Sequence, residues 1–494
     1  MPATSEHGRP SGTSELAAPS DSGPPEVSTA TLALICLLTA IPPISMEIYI
    51  PSLPSIEADM DTTTTNVMYT ITVYTVAFSV MQLILGPASD VYGRRRPLLI
   101  GLSVYFMACV VTALAPSIGW MLAPRVLQGA SSAGAMCISQ ATLRDLLTVT
   151  RRERVTRWMA VVRSSAPLLA PAVGSLVQAA LGWRANFWVL TLMGMFALLG
   201  VITILPESLP KARRQPRFGF GELVRAICFL LCRRDFTCWA VPEALGFAGF
   251  FVWITTSSYI LQEFYGVSVA TFGLLYCLCF IGATAGSFAT RFVRERIGLS
   301  PRGTYVLGSS LSLGCATVLL IASFTPLMTT PSAASEALLQ TAIGVYIFGR
   351  SLCAVQAQVQ GSEPFPTRAA ACAGLMGAMR SAAMSTVATF ASYTLRDGTP
   401  ANACRTIFAL AFLSHTSHLL LRPRSSTRAT PKASVRIIDP ASNTVADDAI
   451  EELAAAHAAA REEAREAAEV AARMPEVACD SAGEREEAVD SPAA

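Results

Sequence analysis

Residues 86–96 read Gly86-Pro-Ala-Ser-Asp90-Val-Tyr-Gly93-Arg94-Arg95-Arg96, and they join two long apolar stretches of the chain. The segment combines an aspartate at a helix end, a glycine that permits a tight turn, and three consecutive arginines. A loop that served only to fix membrane topology would need neither Asp90 nor Gly93. The segment therefore indicates a cluster of paired charges at one mouth of a membrane protein.

The composition of the 494 residues indicates an integral membrane protein. Hydrophobic residues make up 52%, charged residues only 15%, and the mean hydropathy is +0.46. Soluble proteins carry about 25% charged residues, so this chain could not cover a water-exposed surface. The net charge of +2 predicts no nucleic-acid partner. The only two lysines, Lys211 and Lys432, each follow a proline, which excludes the Gly-Lys-Ser/Thr of a phosphate-binding loop and an ATP-driven pump.

Twelve apolar stretches are long enough to cross a bilayer, which takes about 20 residues each. A polar segment at 206–238 divides them into six and six. This predicts an all-α membrane protein with twelve transmembrane helices in two six-helix, pseudo-symmetric halves. The stretches lie near 30–51, 67–88, 97–116, 119–141, 157–181, 187–205, 239–262, 270–291, 303–324, 335–358, 369–393 and 403–421.

The predicted organisation has five parts. A disordered tail rich in Ser, Pro, Gly and Thr covers 1–28, and a soluble tail covers 422–494. The tail is acidic from residue 440 and rich in helix formers over 447–473, so we expect it to be solvated and partly helical, with a protein-binding helix as the alternative. Between the tails lie a six-helix bundle at 29–205, a central loop at 206–238, and a second six-helix bundle at 239–421.

Arginine clusters follow the even-numbered stretches and predict the orientation. Such clusters occur at 94–96, within 144–157 and throughout 206–238, whereas the loops 52–66 and 117–119 contain no Lys or Arg. Because basic loops stay in the cytoplasm, both termini and the central loop are predicted to be cytoplasmic, in a plasma (cell inner) membrane.

The segment 86–96 resembles the signature loop of the major facilitator superfamily, which reads roughly G-x-x-x-D-R-x-G-R-R. Val91 stands where the family has a basic residue. The resemblance implies that Asp90 and Arg94 gate the inner mouth through a charge relay. The matching residues are Gly86, Asp90, Gly93, Arg94 and Arg95.

The fourth stretch opens with Arg125-Val-Leu-Gln128-Gly129. An arginine about five residues into an apolar helix is costly to bury unless it is paired or functional, although it could instead reach the membrane interface. In the drug-exporting branch of the superfamily, R-x-x-Q-G is a second signature whose arginine is tied to proton transfer. Arg125, Gln128 and Gly129 match it fully.

The fifth stretch contains Pro167, Pro171 and Gly174, a spacing that bends a membrane helix and lets a neighbour approach closely. It resembles the antiporter signature of the family in its bicyclomycin-resistance variant, A-P-x-x-G-G. Ser175 replaces the second glycine.

The first stretch ends Ser45-Met-Glu47-Ile-Tyr49-Ile-Pro51, where the bicyclomycin-resistance (Bcr/CflA) subfamily has D-M-Y-L-P-A-L-P. Glu47 replaces the aspartate of that subfamily. The segments 183–188 and 363–366 also match. The resemblance covers about 30–421 and is denser in the first half.

The resemblance implies a secondary transporter, not an enzyme, that exports small hydrophobic compounds in exchange for protons by alternating access. Glu47 is the leading proton carrier, because a carboxyl in a low-dielectric site can load and release protons. We expect it to lie near Arg125. The partners are a small-molecule substrate, protons and the bilayer. No cofactor or metal is predicted, since His415 and His418 lack further ligands.

Several alternatives remain open at this point. A metabolite or peptide exporter, or an uptake symporter, could have the same fold. A non-transporting scaffold or receptor could instead use the acidic tail.

Arg350 and Arg380 lie near the middle of the tenth and eleventh stretches, too deep to reach either interface. We therefore expect them, with Tyr49, to line the substrate cavity. The alternative is that each arginine pairs with Glu243 or with a backbone carbonyl. A cavity lined by these arginines would favour neutral, zwitterionic or anionic compounds over cations.

The orientation can be tested by labelling. Single cysteines placed within 206–238 or 142–156 should resist a membrane-impermeant thiol reagent on intact cells, because both segments are predicted to be cytoplasmic. A cysteine placed within 52–66 is the positive control and should react. Labelling of intact cells within 206–238 would contradict the orientation.

Overall fold

The computed structural model describes residues 27–147, 155, 159, 166, 169–217, 219–365, 369–395 and 398–421. Across these residues the chain is helical, without a β-strand. The helices of the first half are α1 (Thr29–Glu47), α2 (Leu53–Asp59), α3 (Thr64–Tyr92), α4 (Arg95–Ala113), α5 (Ile118–Leu146), α6 (Leu169–Leu181) and α7 (Trp183–Thr203).

A short connecting helix, α8 (Phe220–Cys232), leads into the second half. A π-helical turn, Ile260–Phe264, extends the first long helix of that half, and a 3-10 turn, Ile50–Ser52, joins α1 to α2. The helices of the second half are α9 (Arg234–Tyr259), α10 (Val269–Glu295), α11 (Pro301–Ala322), α12 (Ala333–Gln360), α13 (Ala369–Thr394) and α14 (Ala401–Leu420).

A helix lies at each of the twelve predicted positions. Within the described residues, eight helices are long and apolar enough to cross a membrane by length and composition. The helices α5, α6, α13 and α14 occupy the other four positions. The fifth stretch is described as a continuous helix only from Leu169. The tails predicted at 1–28 and 422–494 lie outside the described residues, apart from Val27 and Ser28.

Two helices were not predicted. The α2 helix follows directly after α1, and α8 lies inside the segment predicted only as a polar loop. Its buried residues Phe229 and Leu230 pack with Phe236 and Tyr305 of the second half. The central segment is therefore attached to the second half by an apolar face.

Hydroxyl side chains set where several long helices begin. Each accepts a hydrogen bond from the backbone N–H three residues later, which satisfies one of the free donors of the first turn. The capping residues are Ser28 for α1, Thr63 for α3, Ser268 for α10, Ser300 for α11 and Ser332 for α12.

The two halves repeat one packing scheme. In the first half α5 packs against α1, α3 and α4, and α4 also packs against α7. In the second half α12 packs against α9, α10 and α11, and α11 also packs against α14. Each of these contacts thus has its counterpart in the other half, which is the pseudo-symmetry expected from the six-plus-six division.

Contacts between the halves include those along α3 and α13 and those at one end of the bundle. Along α3 and α13, Ser79 donates to the carbonyl of Ala378 at 2.9 Å and Ser385 donates to Thr75 at 3.0 Å. At the end of the bundle that carries α2, the Gln262 amide donates to the carbonyl of Pro51 at 2.8 Å. We call this the α2 end and the opposite one the α8 end. The halves are in contact at the α2 end.

The close approach of α6 to the end of α1 depends on Gly174. A Cβ atom at this position would overlap the carbonyl oxygen of Ile48. The Asn186 amide then donates both to the Gly174 carbonyl, at 3.2 Å, and to Ser52, at 3.0 Å. Pro171 is buried in the same helix, whereas Pro167 lies outside the described residues.

Gly174→Ala should therefore destabilise the protein, because added atoms in a packed backbone contact cost about 1–3 kcal/mol or more. Gly314→Ala is the matched control, since a Cβ on this α11 glycine meets open space. The thermal midpoint of the detergent-solubilised protein, followed by size-exclusion chromatography after heating, should fall only for Gly174→Ala. Equal midpoints for the two variants would contradict the close contact.

Candidate functional site

Arg125 of α5 is completely buried and is held by neutral groups of the first half. Its guanidinium donates to Gln128 Oε1 at 2.7 Å and to the Tyr49 hydroxyl at 3.0 Å. It also donates to the backbone carbonyls of Thr70 and Ser45, at 3.3 and 3.4 Å. The acceptors of this one guanidinium thus come from α1, α3, α5 and the segment between α1 and α2.

Two tyrosine rings enclose the same group. The guanidinium carbon of Arg125 lies 4.5 Å from the ring centre of Tyr49 and 4.4 Å from that of Tyr74. Arg125 forms no ion pair with any described residue, so cation–π contacts and neutral acceptors replace a counter-ion. The alternative that Arg125 reaches the membrane interface is wrong, because its side chain has no exposed surface.

Gln128 and Gly129 complete this arrangement. The Gln128 amide donates to Thr112 of α4 at 2.9 Å while its oxygen accepts from Arg125. Gly129 lies directly against the backbone of Tyr74. The structure therefore brings together the three motif residues predicted here. It also places Tyr49 in this cluster, fully buried, and so corrects the expectation that Tyr49 lines an open cavity.

Glu47 is the last residue of α1 and only 3% exposed. Its Oε2 has no hydrogen-bond partner among the described residues. The carboxyl lies beside the Tyr276 hydroxyl of α10, in the other half. No ion pair joins Glu47 to Arg125, so the expectation that these two groups meet is wrong.

The second half contains a paired acid and base. Arg350 of α12 donates to Glu243 Oε2 of α9 at 2.5 Å and to the Glu243 carbonyl at 3.2 Å, and both side chains are less than 10% exposed. This is the structural pairing left open as the alternative from the sequence. Arg350 thus presents no free guanidinium to a cavity.

Arg380 behaves differently, although its sequence context looks similar. It lies near the middle of α13 yet keeps partial exposure. Its guanidinium carbon lies 5.0 Å from the ring centre of Phe247 of α9. It forms no ion pair with any described residue. Of the two deep arginines, only Arg380 fits the prediction of an accessible charge in the bundle.

The charge cluster of residues 86–96 is present at the α8 end. Arg94 is 5% exposed and pairs with Asp90 at 2.6 Å and with Asp145, the next-to-last residue of α5, at 2.9 Å. It also donates to Ser89 at 2.6 Å. Ser89 in turn donates to the carbonyl of Gly86, the first residue of the motif.

Glu207, which follows α7, closes the turn between α3 and α4. Its carboxylate accepts from the backbone N–H of Arg94 at 2.8 Å and of Arg95 at 3.3 Å. Gly93 has a φ of +88°, and a Cβ there would lie 2.5 Å from Glu207 Oε2. Only glycine fits both the turn and the carboxylate.

Sequence reasoning missed Asp145 and Glu207. Their signal was available, because each is an acid at the end of a long apolar stretch that also ends beside arginines. The sequence motif contained Asp90 of α3 and Arg94 of the following turn. It did not contain the carboxylates of Asp145 and Glu207, which come from α5 and from the segment after α7.

Comparisons with known proteins bear on the fold and on the family of the chain. The family model described as Major Facilitator Superfamily matches residues 35–388. The chain is 30% identical over 257 residues to an uncharacterized MFS-type transporter, YdgK, of Bacillus subtilis (strain 168), covering 52% of this chain and 64% of the relative. It is 29% identical over 260 residues to a bicyclomycin resistance protein homolog of Haemophilus influenzae, covering 52% and 65%.

These two matches span less than two thirds of the relatives' own length. A longer match, 27% identical over 349 residues, joins 70% of this chain to 84% of the multidrug resistance protein MdtL of Escherichia coli. Among solved structures, the human organic anion transporter MFSD10 (TETRAN) is similar with a TM-score of 0.58 at 17% identity, covering 80% of this chain and 99% of that one. A D-xylose-proton symporter gives 0.59 at 16% identity, covering 79% and 96%.

The buried ion pair of the second half leads to a stability prediction. Glu243→Gln leaves Arg350 buried without a counter-charge, which costs about 3–5 kcal/mol. The double variant Glu243→Gln/Arg350→Gln should recover most of the lost thermal stability, because no unpaired charge remains. Glu295→Gln, which breaks the exposed pair with Arg291, is the control and should leave the midpoint unchanged. A double variant as unstable as Glu243→Gln would contradict the pairing.

Proposed function

The chain belongs to the major facilitator superfamily, and from this premise we propose that it exports small, mostly hydrophobic compounds in exchange for protons. The relatives named for bicyclomycin resistance and multidrug resistance support this direction of transport and this substrate class. The resemblance of the first half to the Bcr/CflA subfamily supports it as well. The proposed location is the plasma (cell inner) membrane, with the α8 end and both termini in the cytoplasm.

The isolation of Glu47 is the observation that carries the proposal. A carboxylate buried without a cation costs several kcal/mol, so burial favours the neutral acid in this conformation. Arg125, the fixed charge of the same half, is already satisfied by neutral acceptors and does not neutralise Glu47. A carboxyl that holds its proton only while it is buried is suited to carry that proton.

Opening of the α2 end would change the surroundings of Glu47. The carboxyl lies where the end of α1 meets α10, next to the contact between Pro51 and Gln262. Separation of the halves there removes Tyr276 from the carboxyl and admits water, which stabilises the carboxylate. Proton exchange would thus follow the rocking of the halves that alternating access requires.

Arg125 acts in this scheme as a positioning residue. Its bonds to Tyr49, Ser45 and Thr70 fix the end of α1 against α3, and so fix where the Glu47 carboxyl lies. The Asp90–Arg94–Asp145 cluster would hold the α8 end of the first half as one unit during the movement.

Three alternative functions can be distinguished by assay. In an uptake symporter, protons that flow inward down their gradient would drive accumulation of the substrate. A metabolite or peptide exporter would release a cell constituent in place of a drug. A scaffold would lose its function when 440–494 is deleted and would tolerate a change at Glu47.

Glu47→Gln is the decisive variant. The amide keeps the shape of the carboxyl but cannot exchange a proton, so pH-gradient-driven flux in proteoliposomes should fall at least tenfold while folding is retained. A drop of tenfold corresponds to about 1.4 kcal/mol in the coupled step. Glu222→Gln, on the exposed surface of α8, is the matched control and should transport normally.

Two measurements separate coupling from binding in this test. Substrate exchange without a pH gradient should survive in Glu47→Gln, since that reaction needs no proton. Undiminished gradient-driven flux in Glu47→Gln would place the proton site elsewhere in the chain.

A further inference from the structure

An unbroken row of aromatic rings runs through the second half. Phe247 and Phe250 of α9 meet edge to face with ring centres 5.6 Å apart, and Phe250 meets Phe280 of α10 at 5.5 Å. Phe280 stacks on Tyr276 at 5.0 Å. Tyr276 is the residue beside which the Glu47 carboxyl lies.

Arg380 stands at the other end of this row. Its guanidinium lies against the Phe247 ring, and both side chains are only partly buried. The inner members, Phe250, Phe280 and Tyr276, are at most 8% exposed. In this conformation a ligand can therefore reach the aromatic row at Arg380 but not at the end beside Glu47.

The N–H groups of Arg380 are suited to an external acceptor. A guanidinium stacked on a ring uses its face, and its N–H donors lie in the plane, where a carboxylate can accept two of them at once. No described residue forms an ion pair with Arg380. Glu243, the acid within electrostatic range, is already committed to Arg350.

The charges of this region leave an excess of one positive charge. Arg350 and Arg380 contribute two positive charges, and the ionised Glu243 contributes one negative charge. A net positive charge in the middle of a membrane span is energetically costly unless a negative charge balances it. It attracts anions and repels cations.

We propose that Arg380 and the Phe247–Phe250 pair form a subsite for an aromatic carboxylate, with the carboxylate on the guanidinium edge and the ring on the aromatic row. This deepens the proposed function, on which it rests for the direction of transport and its coupling to protons. The aromatic ring of the ligand would extend the row, since edge-to-face and offset contacts favour ring centres about 4.5–7 Å apart. A carboxylate alone would lack this contact, and an aromatic cation would be repelled by Arg380.

The test compares one aromatic acid with its ester. Nalidixate carries an aryl carboxylate, and its methyl ester keeps the ring but loses the charge. Binding of each to the purified full-length protein in detergent is measured by isothermal titration calorimetry. The unmodified protein should bind nalidixate at least about tenfold more tightly than the ester, the value of one charge-assisted hydrogen bond.

The variants are chosen to separate charge from ring contact. Arg380→Gln should abolish the preference for the acid and leave ester binding unchanged, whereas Arg380→Lys should keep part of the preference. Phe247→Leu should weaken acid and ester alike. Arg294→Gln, an exposed arginine of α10, is the control and should bind both compounds as the unmodified protein does.

The outcomes distinguish this subsite from the proposed coupling. An acid-to-ester ratio that is the same in the unmodified protein, Arg380→Gln and Arg380→Lys would overturn the subsite. Glu47→Gln should keep the ratio, because the proton carrier lies at the far end of the row. If Glu47→Gln transports normally while Arg380→Gln loses the preference, the subsite stands and the proposed proton coupling fails.

Discussion

The burial of the Arg125 guanidinium without an acid is the constraint on which the first half depends. Removing an arginine from water is tolerated only if every donor finds an acceptor, and here the acceptors come from α1, α3 and the chain that follows α1. The tyrosines that enclose it, Tyr49 and Tyr74, cannot turn away without exposing the charge to apolar surroundings. The geometry of three helices is thus set by one side chain.

The same constraint explains why Glu47 stays unpaired. An arginine that needed a carboxylate would have drawn Glu47 into the first half and neutralised it there. Because neutral groups satisfy Arg125, the carboxyl is left to face Tyr276 of the other half. The second half does the opposite with Glu243 and Arg350, whose direct pairing fixes α9 to α12 and leaves Arg380 as the surplus charge.

The sequence predicted where the long apolar helices of the described residues lie, because a bilayer demands apolar length and leaves a clear one-dimensional signal. The resemblance to the R-x-x-Q-G signature grouped Arg125, Gln128 and Gly129, and the structure places these three residues in one cluster. The sequence could not predict that Glu47 and Arg125 stay apart. Residue count gives the depth of a side chain along its helix, but not the direction in which it points around the axis.

Three further features of the structure went beyond what the sequence predicted. Arg350 and Arg380 look alike in sequence, and only the packing of α9 against both α12 and α13 decides which one Glu243 neutralises. Asp145 and Glu207 complete a charge cluster whose other members lie more than 50 residues away along the chain. The helix α8 was hidden by the arginines around it, which dominate the composition of the segment 206–238.

The anchoring of the segment after α7 has a mechanical consequence for the pair of halves. Glu207 accepts from the α3–α4 turn, and the backbone N–H of Gln215 donates to the carbonyl of Asp90 at 3.0 Å. The segment after α7 is therefore bound to the first half as far as Gln215. From Phe220 onward α8 is seated on the second half, with Phe229 packed edge-on against Phe365. Between the anchors at Gln215 and Phe220 lie five Cα-to-Cα steps, which reach at most about 18 Å. This short linker, and not the full length of the segment 206–238, therefore sets the largest separation that the two halves can reach at the α8 end.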